Sequence, residues 1–93
     1  MAVLSDIVLK IIAKQEAVIG PLAWREAGKV QGLHVENALR TVEMIEPDQK
    51  AVVDRLVAQY ERLFGKASHE VCREAAASLI AHMLPAEIPL SLR

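Results

Sequence analysis

Ninety-three residues with a net charge of −1 are enough for one domain, and no global field favours nucleic acid or an anionic membrane. Apolar residues make up 53% and aromatics only 3%, which excludes disorder and implies a core of Ala, Val, Leu and Ile. Cys72 is the only cysteine, so no internal disulfide forms, as fits a cytoplasmic protein.

A first helix is expected over 5–19, with Ser5 as N-cap and Asp6 in its first turn. Leu4, Ile7, Val8, Ile11, Ile12, Val18 and Ile19 form its apolar stripe. Asp6, Lys10, Lys14 and Glu16 interrupt the apolar start, which argues against a signal peptide or a membrane span. Gly20 ends the helix, and Pro21 suits the first turn of the next, expected over 22–30.

Residues 33–46 support two readings. Val35, Ala38, Leu39, Val42 and Ile45 keep helical spacing, and helix is the preferred expectation. The short β-prone runs on either side of Glu36, Asn37 and Ala38 also suit a small β-hairpin. Pro47 then breaks the chain, and Asp48 can cap a helix starting at Gln49. That helix is expected over 49–64, with Val52, Val53, Leu56, Val57, Tyr60, Leu63 and Phe64 on one face and Gly65 as its stop. A final helix is expected over 67–84. The tail, 85–93, keeps Ile88, Leu90 and Leu92 between Pro89 and Ser91, and so should dock, on its own domain or on a partner.

A helix–Gly unit recurs 45 residues on. Ile7, Val8, Ile11, Ile12, Val18, Ile19 and Gly20 meet Val52, Val53, Leu56, Val57, Leu63, Phe64 and Gly65, while Gln15 meets Tyr60. Such a unit cannot bury its apolar face alone. The expected fold is therefore all-α: a small bundle of four or five helices made of two pseudo-repeated helix–Gly–helix hairpins. One helical domain covers 1–84, followed by the apolar tail 85–93.

No chemistry is legible. His69 and Cys72 share a helix face, but a metal site wants three or four ligands. Glu-x-x-His, which carboxylate-bridged di-iron bundles need, is absent. No phosphate loop, nucleophile elbow or dinucleotide fingerprint occurs. No catalytic residue, cofactor or metal is expected, and no enzymatic activity.

The expected function is protein–protein interaction or oligomerisation, regulatory in character, with a homodimer or an unidentified protein as partner. The residues expected to carry it are Trp24, Val53, Tyr60, Ile88, Leu90 and Leu92. The competing reading is a DNA-binding helix-turn-helix over 23–45, with recognition helix 35–45. That helix would bring only Arg40 as a cation against Glu36, Glu43 and Glu46, too little for phosphate contacts. Nucleic acid is thus not an expected partner.

Overall fold

The computed structural model describes residues 3–93; Met1 and Ala2, the start of the expected 1–84 domain, lie outside the described residues. Among those described, four helices and one two-stranded antiparallel sheet form a small globule.

Helix α1 (Val3–Ile19) is already helical two residues before the expected cap. Ser5 lies inside it, because Leu4 packs against the core and draws the first turn into the helix. Ile7, Val8, Ile11, Ile12 and Gln15 form its buried face. Helix α2 (Leu22–Ala27) is shorter than expected: Gly28 ends it, and Lys29 and Val30 continue in tight turns onto Glu26 and Ala27.

The preferred helix over 33–46 does not form. Strands β1 (Leu33–Glu36) and β2 (Thr41–Met44) pair instead, with Leu33 opposite Met44 and Val35 opposite Val42. The reason is alternation. Leu33, Val35, Val42 and Met44 share the inward face, while His34, Glu36, Thr41 and Glu43 face solvent. Apolar spacing of two on each strand packs all four against the body, Leu33 buried and the others half-buried, which no single helix face could do. The β-hairpin alternative for 33–46 is the one that forms, in a chain that is otherwise mostly helical, and the helix-turn-helix reading of 23–45 loses its recognition helix.

Helix α3 (Gln49–Phe64) keeps the expected bounds, with the Asp48 carboxylate accepting from the Ala51 N–H at 3.2 Å. Its buried face is Val52, Val53, Leu56, Val57 and Tyr60. Helix α4 (Lys66–Ile80) ends four residues before the expected limit. The chain tightens through Ala81–Met83, and Pro85 forces Leu84 into extended backbone. Cys72 and Ala76 of α4 complete the core with Ala23, Trp24 and Ala27 of α2.

The equivalence expected of the two halves extends less far than two matched hairpins. The 6-residue α2 and the sheet follow Gly20, whereas the 15-residue α4 follows Gly65. The tail folds back as two single turns, Pro85–Glu87 and Leu90–Leu92, the second of which packs against α3 and α4.

Candidate functional site at the hairpin tip

The loop 37–40 joins β1 to β2, and the Arg40 N–H donates to the Asn37 carbonyl at 3.3 Å. Arg40 has φ +54, the one positive value among the described non-glycine residues. An L side chain adopts this conformation at a cost, and such outliers persist where surrounding contacts hold them. Here the contacts come from α1 and α2. Arg40 donates to both oxygens of Glu16, Nη1 to Oε1 at 2.6 Å and Nη2 to Oε2 at 2.9 Å. Its guanidinium carbon lies 5.2 Å from the centre of the Trp24 ring.

The Arg40 hydrogen bonds hold the Glu16 carboxyl below its ordinary value of 4.5, and the nearby Trp24 indole adds to this effect. The indole N–H still lies outside hydrogen-bonding geometry, so Nε1 is buried without a partner. Exposed ion pairs contribute little to global stability. A bidentate pair does fix an angle, and this one fixes the tip against α1. The result is a pinned loop whose Leu39 is 72% exposed. Val18, near the end of α1, and Ile45, just beyond β2, are also exposed.

The residues expected to bind a partner divide into three groups. Val53 and Tyr60 are fully buried core residues, so neither is offered at a surface in this fold. Trp24 is 4% exposed and serves as the platform under Arg40. In the tail, Leu92 is buried and Ile88 half-buried, whereas Leu90 is 71% exposed. Sequence reasoning missed Arg40 and Leu39 as a unit, because the helical assignment put them on a helix rather than at a turn. The signal for the turn was the pair of β-prone runs around 36–38.

A second polar cluster holds the tail. Asp54 Oδ1 accepts from the Ser91 N–H at 3.0 Å and from its hydroxyl at 2.6 Å. His69 Nδ1 lies 3.0 Å from Glu61 Oε1, and Nε2 lies 2.5 Å from the Ser91 carbonyl oxygen. A carboxylate–imidazole pair is one part of a nucleophilic triad. Here Nε2 faces a carbonyl, and the Ser91 hydroxyl is committed to Asp54, so no hydroxyl is poised for activation.

Among the described residues, no three His, Cys, Asp or Glu side chains gather as a metal site would require. No helix there is long and apolar enough to cross a membrane. The surface grooves are open. One of about 380 Å³ runs between α1 and α4, with Lys10 and Lys14 on one wall and Glu74 on the other. Comparison with family models, curated proteins and solved structures finds no match to this chain.

Proposed function

We propose that this chain is a cytoplasmic, non-enzymatic protein–protein interaction module that forms a homodimer and acts in regulation. The observation that carries this reading is Leu39, a large apolar side chain held in solvent by a tip that Glu16, Trp24 and Arg40 immobilise. An exposed leucine on a floating loop would need no explanation. One on a pinned loop enters an interface with little ordering cost. Val18 and the tail's Leu90 add apolar surface.

On this reading the body that presents the tip derives from two copies of a helix–Gly unit. The match of buried positions on α1 and α3, all offset by 45 residues, supports it.

Light scattering over a range of concentrations tests the proposal. A dimer is expected, and Leu39→Asp should shift it to monomer with the helical circular dichroism unchanged. A monomer at every concentration, or a dimer indifferent to Leu39→Asp, would overturn the reading. Retention on duplex DNA that falls steeply with salt would favour nucleic-acid binding instead.

A further inference from the structure

We infer that His69 is a proton-operated latch for the C-terminal segment 85–93. Both ring nitrogens of His69 face acceptors: the Glu61 carboxylate at 3.0 Å and the Ser91 carbonyl at 2.5 Å. Neither partner has a hydrogen to give. An imidazolium donates to both, whereas a neutral imidazole has one N–H and one lone pair. Loss of the proton therefore forces a choice. Either the Ser91 bond is given up, or a ring lone pair is left against the Glu61 carboxylate.

The segment under control is small; Pro89 and Leu92 are buried, Ile88 packs against the core, and a few polar contacts set its end. Ser91 is gripped by Asp54 on one side and His69 on the other. Lys50 Nζ donates to the Ala86 carbonyl at 2.8 Å. Leu92 is the one buried leucine of the segment. Leu84, immediately before it, is exposed and extended, as a hinge requires. Of the other charged groups around the latch, Glu74 lines the groove beside Leu92 and Lys66 begins α4, while the rest are paired. Glu70 and Arg73 on α4 pair with each other, Arg93 donates to the Pro85 carbonyl, and Glu87 accepts from the Leu84 N–H. Glu61 is thus the carboxylate that reads the state of the ring, and Asp54 provides a grip that the imidazole proton does not alter.

Docking is strongest with the doubly protonated ring, which donates to both acceptors, and weaker with the neutral ring, which has one N–H for two acceptors. Release would uncover the ground between α3 and α4 on which Leu92 rests.

Amide hydrogen exchange read by NMR tests this on the full chain. Protection of the Ser91 and Leu92 amides, corrected for intrinsic exchange, should fall about tenfold relative to α3 amides between about pH 5.5 and 8, the effect of losing one charge-assisted hydrogen bond. In Glu61→Gln the carboxamide can donate to the neutral ring while Nε2–H keeps Ser91. Docking should persist there with the pH dependence gone. In His69→Gln the segment should be weakly protected at every pH. The α3 amides report whether each variant keeps its fold. Wild-type tail protection that is flat over this range, or a full wild-type response in Glu61→Gln, would overturn the latch.

Discussion

Gln15 and Tyr60 each donate a buried hydrogen bond to the helix that comes after the other's: Gln15 Nε2 to the Ser68 carbonyl at 3.0 Å, and Tyr60 Oη to the Ala23 carbonyl at 2.7 Å. The donors are 45 residues apart, and so are the acceptors. Each acceptor lies three residues past a helix-ending glycine, Gly20 or Gly65, to whose carbonyl its N–H donates at 3.0 Å. These two bonds tie α1 to α4 and α3 to α2 inside an otherwise apolar core. They are not equivalent in quality, because Gln15 Oε1 is buried with no partner.

Tyr60→Phe keeps the ring and loses a satisfied bond in a dry site, so a loss of about 1–2 kcal/mol is expected. Gln15→Met keeps length and apolar contact while removing the orphaned oxygen. Its cost should stay below about 1 kcal/mol, and a gain is consistent with the same argument. Urea unfolding of both variants, followed by circular dichroism, measures the contrast. Equal losses would mean that the unpartnered oxygen carries no penalty.

Gly20 and Gly32 separate backbone strain from crowding. Both have positive φ, +75 and +88. A Cβ on Gly20 meets nothing within 4 Å, whereas one on Gly32 would lie 2.9 Å from the Glu46 carboxylate and from Cγ2 of buried Val52. Gly20→Ala should cost about 1–2 kcal/mol, the strain alone. Gly32→Ala should cost about 2–4 kcal/mol, since the core must also shift. Thermal melts of the two variants decide whether the order holds.

Arg40 carries strain and an ion pair together, and two substitutions divide them. Arg40→Ala removes the pair and keeps the strain, while Arg40→Gly removes both. The glycine variant should melt about 4–8 °C above the alanine variant. A reversed order would show that Arg40 sits there without cost.

Acid should free the same tip. Glu16 is held below its ordinary value of 4.5, first by Arg40 and then by the Trp24 indole. A lowered carboxyl contributes stability above its ordinary value and loses it as pH falls through the lowered one. Trp24 emission should therefore change below about pH 4.5. Glu16→Gln should lack that step, and added salt should weaken it in the wild type. A step unchanged in Glu16→Gln would assign it to another carboxylate.

Cys72 is a core residue. Burial pushes its thiol from 9.0 up to about 11, and the Gln15 amide at 3.4 Å offsets part of that rise. Burial also raises the Tyr60 phenol above its ordinary value of 10.0. Both groups ionise more readily in the unfolded chain, so stability is intact below pH 9.0 and is lost as pH rises toward about 11. Melting temperature should fall across that interval, and less steeply in Cys72→Ala. At neutral pH a thiol reagent should label Cys72 only as fast as the chain opens. Rapid native labelling would place the thiol at the surface.

By itself the sequence determined α1 and α3 and their glycine stops. Ile7, Val8, Ile11 and Ile12, like Val52, Val53, Leu56 and Val57, are local patterns of period 3.6 whose burial needs only some apolar partner. Gly20, Pro47, Asp48 and Gly65 mark boundaries through backbone chemistry that operates within a few residues. Tertiary structure alone decided residues 33–46. Val35, Val42 and Ile45 satisfy helical spacing and the short β-prone runs equally, and the surface of α1 beneath the hairpin rewards the inward set Leu33, Val35, Val42 and Met44. Tertiary structure also brought together Arg40 with Glu16, 24 residues apart, and His69 with Ser91, 22 apart. Polar groups so distant in the chain carry no period. Their pairing exists only once the apolar faces have packed and brought them within reach.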